Sequence, residues 1–231
     1  MANPKFIRLH GEHYLEVLYM INYCGIQCGD FEFVSMAYAD KSNQLLNDSI
    51  LTINFEAYRF LALSRIFNKT ANYQAVKHLL YTSKNKIAEW EPFLNMDINR
   101  TLQMSSGISF FVLEDYDHAL SFIKGAVTYI TAGIRKELFS VGQMLLLLIT
   151  YSMNNEKLFE AQYRTTYGFF YKRKKHAFEK AVMECLRRTF YMTDNKEKIK
   201  KYQKAIAIIN QNSDDIFQRN IFTIFNFFGW L

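Results

Sequence analysis

Proline and glycine are scarce in this chain, with two and nine among 231 residues. An all-β fold turns often and leans on those residue types to do so, so their scarcity argues against strands and for helices. Cysteine is equally sparse. Cys24, Cys28 and Cys185 are odd in number in a long chain, which excludes a disulfide framework and leaves thiols expected to be reduced. Long apolar runs are missing too. The longest, 144–149, falls far short of the roughly 20 residues that cross a bilayer. The opening MANPKFIRLHGEHY has neither the apolar core of a signal peptide nor a small-residue cleavage site behind one. The expectation is a cytoplasmic protein without a transmembrane helix.

Catalytic signatures are also lacking. There is no Walker loop, no G-x-G-x-x-G and no G-x-S-x-G, and His-Gly-Glu-His at 10–13 is not the His-Glu-x-x-His metalloprotease pattern. His78, His118 and His176 stand in helical contexts without a nucleophile partner. His10, His13, Cys24 and Cys28 carry zinc-ligand chemistry, but the cysteine spacing is not that of a zinc knuckle, and cysteine usually behaves as a small buried hydrophobe. No metal, no cofactor and no enzymatic activity are expected.

What is present is apolar bulk and uneven charge. Half the residues are hydrophobic and 22% are charged, the balance of a globular protein. The net charge of +6 divides unequally: residues 1–115 hold 10 Lys+Arg against 12 Asp+Glu, and residues 116–231 hold 18 against 10, so −2 and +8. A basic half fits either a solvated surface or an acidic partner such as nucleic acid.

The stretch 106–126, SGISFFVLEDYDHALSFIKGA, reads as two close helices, with Gly107 and Phe110 on the first, Glu114-Asp115 in the turn, and Tyr116, Ala119, Ile123 and Ala126 along one face of the second. With Tyr116 as anchor, counterparts fall at Phe31, Tyr73, Leu158 and Ile199, at intervals of 42, 43, 42 and 41 residues. A hairpin alone exposes an apolar face, so stacked neighbours complete a continuous core. The frame Gly107, Phe110, Tyr116, Ala119, Ile123, Ala126 resembles the tetratricopeptide repeat, although the unit is near 42 residues rather than the family's usual 34 and Thr131 stands where a closing proline is common. The resemblance implies an all-α right-handed superhelix of about five antiparallel hairpins, whose first helices line a concave groove that binds proteins or peptides.

Periodicity and caps place the hairpins near 10–42, 48–90, 98–132, 135–171 and 174–210 within one repeat domain, with a closing helix over 214–228. That last segment is apolar on much of its circumference. It either packs on the fifth hairpin, where it decides whether the groove is open or filled, or forms a homodimer surface.

The resemblance puts Tyr19, Tyr23, Arg65, Asn68, Met104, Phe111, Arg187 and Tyr191 on the concave face as partner-binding residues. Only Arg65 and Asn68 look similar to the Lys/Asn set by which some members of that family grip a terminal carboxylate. A basic patch at Lys172, Arg173, Lys174 and Lys175 adjoins Tyr163, Tyr167, Phe169, Phe170 and Tyr171. Aromatics among basic residues could stack on bases, but at helical spacing in a repeat protein they more often form the core between hairpins. The expected function is a non-enzymatic protein- or peptide-binding scaffold; the alternative is a nucleic-acid-associated protein using the basic half.

Overall fold

In the computed structural model, which describes residues 9–39, 48–128, 136–172 and 176–230, every regular element is a helix. The chain divides into two compact units, Met1–Asp115 and Tyr116–Leu231. The boundary falls in the turn of the expected third hairpin, and each unit is taken by itself.

Unit 1 contains α1 (Gly11–Cys28), α2 (Phe31–Ala39), α3 (Ser49–Lys69), α4 (Tyr73–Trp90), a 3₁₀ turn (Glu91–Phe93) and α5 (Met96–Val112). Consecutive helices fold back on each other, α1 on α2 and α3 on α4, and α3 also packs on α1 and α5. Local sequence sets these bounds. Asp48 accepts from the backbone N–H groups of Ile50 and Leu51 at 2.9 and 3.0 Å, and Asn95 accepts from Ile98 at 2.9 Å, satisfying donors that a helix start leaves open. In α4 the buried residues Val76, Leu80, Ser83, Ile87 and Trp90 recur every three or four positions, which is one face of a helix.

Unit 2 contains α6 (Tyr116–Thr128), α7 (Lys136–Ser152), α8 (Glu156–Tyr171), α9 (Ala177–Phe190), α10 (Asn195–Gln211), α11 (Ile216–Ile224) and α12 (Phe227–Trp230). Its centre is α7, where Leu138 and every residue over 140–150 are buried; α6, α8, α9 and α11 all pack on it. An aromatic core joins the pairs: Phe159 of α8 stacks on Phe190 of α9 at 4.2 Å, with Tyr151 of α7 edge-on to both and to Trp230.

Helix bounds lie within three residues of those read from sequence, with three exceptions. The second helix of the first pair and that of the third run, in the expected ranges, into 40–42 and 129–132, which lie outside the described residues. The expected closing helix over 214–228 is not continuous. Phe225 is extended (φ −144°, ψ 131°), so the chain breaks into α11 and α12, and Ile221, Phe225 and Phe227 turn inward. Among the described residues no helix is long and apolar enough to cross a membrane.

The recurrence is carried by backbone rather than by aromatic side chains. Gly29, Ala71, Glu114 and Asn154 all have positive φ, at 77°, 52°, 61° and 50°, and each lies two residues before a helix start. At the first three, the positive-φ residue donates to the carbonyl three back and the next residue to the carbonyl five back, as in Asn72 N–H to Phe67 at 2.9 Å and Asp115 N–H to Phe110 at 3.0 Å. The next residue is Asp30, Asn72, Asp115 and Asn155, and Asp194 takes that place before α10. By this frame the equivalents of Tyr116 are Phe31, Tyr73, Glu156 and Asn195. The anchors Leu158 and Ile199 run two and four residues late.

Candidate functional site

In unit 1 the expected contact residues Tyr19, Tyr23 and Arg65 come together. Arg65 leaves α3 half-buried, with the Tyr19 hydroxyl as hydrogen-bond partner and those of Tyr23 and Tyr38 close enough to feel its charge. Burial lowers the guanidinium below its ordinary value, the tyrosines oppose that shift, and the group remains a cation. Lys69, one turn on, is lowered first by desolvation and then by Arg65 itself. Two cations therefore share one face of α3, and among the described residues no carboxylate forms an ion pair with either.

The surrounding tyrosines are held in place by packing. Tyr19 lies against Tyr58 with ring centroids 5.5 Å apart, and Tyr38 lies against Phe55 at 5.8 Å while donating to the Leu18 carbonyl at 3.1 Å. Burial raises Tyr14, Tyr38 and Tyr58, and neighbouring hydroxyls add to this at Tyr38 and Tyr58, so all three stay protonated as donors. Tyr23 is 51% exposed and opens the cluster to solvent. Lys69, Tyr38 and Tyr58 went unnoticed in the sequence; the spacing of four between Arg65 and Lys69 was the available signal for the first.

Other expected contact residues are placed differently. Asn68 donates through Nδ2 to Ser109 at 2.9 Å, so that arm of its amide is taken within the unit. Met104 and Phe111 are corrections. Both are buried, because α5 is enclosed at nearly every position from Thr101 to Phe111, and neither side chain is available to a partner. His10 and His13 lie near the start of α1 and Cys24 and Cys28 at its end; the eleven residues from His13 to Cys24 amount to about 16 Å of helix rise, too far for one ion. No group of three possible metal ligands occurs among the described residues.

Unit 2 carries Arg187 and Tyr191, one turn apart on and just past α9. The Arg187 guanidinium lies 5.1 Å from the centre of the Tyr163 ring, within cation–π range. Burial raises Tyr163, and Arg187 beside it works the other way without cancelling the shift. The Tyr191 hydroxyl donates to Glu160 Oε1 at 2.8 Å, and that bond, with the charges of Glu160 and Glu156, pushes Tyr191 up to about 12. Of the aromatics beside the basic stretch, Phe170 is buried and Phe169 lies against Phe139 at 4.5 Å, whereas Tyr163, Tyr167 and Tyr171 form a separate row. Lys172 is exposed at the end of α8, and Arg173, Lys174 and Lys175 lie outside the described residues.

One polar joint inside unit 2 is structural. Glu179 is fully buried in the first turn of α9, accepting from Ser140 Oγ of α7 and from the His176 backbone N–H at 3.0 Å. The His176 ring meets Asp215 at 3.1 Å and stacks on Phe217 at 4.0 Å, tying α9 to the start of α11. Burial acts to raise Asp215, but the bonds from His176 and from the backbone of Gln218 and Phe217 outweigh it and hold the carboxyl below its ordinary value. Cys185 is buried between α9 and α10, and desolvation pushes its thiol up to about 11 against the pull of Lys201. No protein-family model matches the chain, and no match is found among curated proteins or solved structures.

Proposed function

We propose that this protein is a non-catalytic scaffold that binds a protein or peptide bearing acidic groups, built as a right-handed superhelix resembling tetratricopeptide repeats and working in the cytoplasm. The recurring turn, a positive-φ residue followed by an Asp or Asn, supports the repeat reading. The observation that carries the binding reading is the Arg65–Lys69 pair, with Arg65 half enclosed by tyrosine hydroxyls and neither cation in an ion pair with a carboxylate among the described residues. A partner carboxylate would complete a charge-assisted hydrogen bond there, and Tyr19 and Tyr23 supply the aromatic contact area common at binding hot spots.

An array of synthetic peptides, matched in length and varied in charge, tests this with the full chain. Acidic peptides should be retained over neutral ones, and Arg65→Gln and Tyr23→Ala should each weaken retention roughly tenfold, the loss typical of a hot-spot contact. Equal retention of acidic and neutral peptides, or an Arg65→Gln protein that binds as the wild type does, refutes it.

A further inference from the structure

Helix α8 has two aromatic faces with different fates. Phe159, Tyr163, Thr166 and Phe170 are its buried face. Tyr163, Tyr167 and Tyr171 follow at every fourth residue and leave that face progressively, at 8, 43 and 75% exposure. Their rings are stacked, Tyr163 on Tyr167 at 6.2 Å and 25°, and Tyr167 on Tyr171 at 6.0 Å and 20°. A row of flat rings running outward into solvent is not explained by core packing, because only its inner member, Tyr163, shares the buried face with Phe159 and Phe170.

Cations border the row. Arg187 caps its inner end over Tyr163, and Arg164 and Lys172 are exposed on α8 itself. Two carboxylates also lie near the row: Glu160, which accepts from Tyr191, and Glu184, which faces Arg188 at 3.9 Å and acts on Tyr163. At Gly168, between the two exposed tyrosines, an added Cβ would meet nothing within 4 Å, so the surface there is open.

We infer that this face of unit 2 binds single-stranded nucleic acid, with bases stacking on Tyr171 and Tyr167 and with Arg187, Arg164 and Lys172 meeting backbone phosphates. Charge decides the occupant. Unit 2 carries 18 basic against 10 acidic residues, so a second copy of the chain is repelled, and a polyanion is attracted. A duplex keeps its base faces inside its own stack, whereas an open strand presents them to aromatic rings. This inference rests on unit 2 alone and stands apart from the peptide reading of unit 1.

Fluorescence anisotropy of the full chain with labelled oligo-dT and oligo-rU of about twelve nucleotides tests it, a duplex of equal length serving as control. Both single strands should bind more tightly than the duplex, and affinity should fall steeply between about 50 and 200 mM salt. The Tyr167→Ala/Tyr171→Ala protein should bind roughly tenfold or more weakly with its salt dependence unchanged, since stacking carries no charge. Arg187→Gln should reduce the slope of log affinity against log salt by about 0.7, one phosphate's share for a single strand. Circular dichroism checks that each variant keeps its helices. The inference is overturned by absence of single-strand binding at low salt, by equal affinity for the duplex, or by a tyrosine double variant that binds like the wild type. It is equally overturned if a proline-rich peptide or self-association occupies the face while oligonucleotides do not bind.

Discussion

Exchanging residues at two left-handed turns of unit 1 should move stability in opposite directions. Gly29 and Ala71 occupy the same place in successive turns, both left-handed, at φ 77° and 52°. A side chain in that region costs about 1–2 kcal/mol, and about 0.4–1 kcal/mol of this is offset because a non-glycine residue restricts the unfolded chain. Nothing lies within 4 Å of a Cβ added at Gly29, so the Gly29→Ala change breaks no contact and makes no clash. Its expected cost is the conformational difference alone, about 0.5–1 kcal/mol. Ala71 is exposed, and Ala71→Gly should stabilise by the same amount. The assay is urea unfolding followed by tryptophan fluorescence. The chain has one tryptophan per unit, Trp90 and Trp230, so a Trp230→Phe background leaves Trp90 to report unit 1. The midpoints should separate to either side of the parent with the slope unchanged. Shifts of the same sign at the two positions, or a stabilising Gly29→Ala, would refute the shared left-handed turn.

Two further outcomes follow from the polar joint of unit 2. Glu179→Ala removes the buried acceptor shared by the Ser140 hydroxyl and the part-buried His176 N–H and should cost about 1–3 kcal/mol, while Glu179→Gln keeps one acceptor and should cost clearly less; thermal melts of both read this, and equal losses would argue against it. Asp215 is held below its ordinary value of 3.8, so the unfolded chain binds the proton first and stability falls as pH drops through the folded value. Asp215→Asn keeps a capping oxygen and removes the titration; its stability should therefore decline less than the wild type's between about pH 4 and 2, and an identical acid limb would refute the shift.

The helices were legible because caps and apolar spacing act over a few residues. Asp48, Asn72, Asn155 and Asp194 cap their helices, and each lies within two residues of the start that the periodicity suggested. The residue after the turn was legible as a recurring position only where it is aromatic, as at Phe31, Tyr73 and Tyr116. Glu156 and Asn195 hold that place later, so size-matching drifted to Leu158 and Ile199. The break before α12 was hidden because Phe225-Asn226 lies in an apolar run with neither glycine nor proline beside it. For the sites, the family resemblance put Tyr19, Tyr23 and Arg65 on one concave face but gave no measure of enclosure. A face of α5 that meets solvent and one that meets other helices share the same period, so Met104 and Phe111 read like contact residues. The row Tyr163, Tyr167, Tyr171 was visible as a spacing of four, and only its graded exposure separates it from the core.

The seating of α11 on α7 has a consequence for synthesis. Ser152 ends α7 and Ile216 begins α11, so an apolar face of the central helix of unit 2 lacks its cover until the chain has grown by more than sixty residues. At cellular elongation speeds that interval lasts on the order of several seconds. During that window the nascent unit presents sticky surface, and a ribosome stall between α7 and α11 would prolong the exposure.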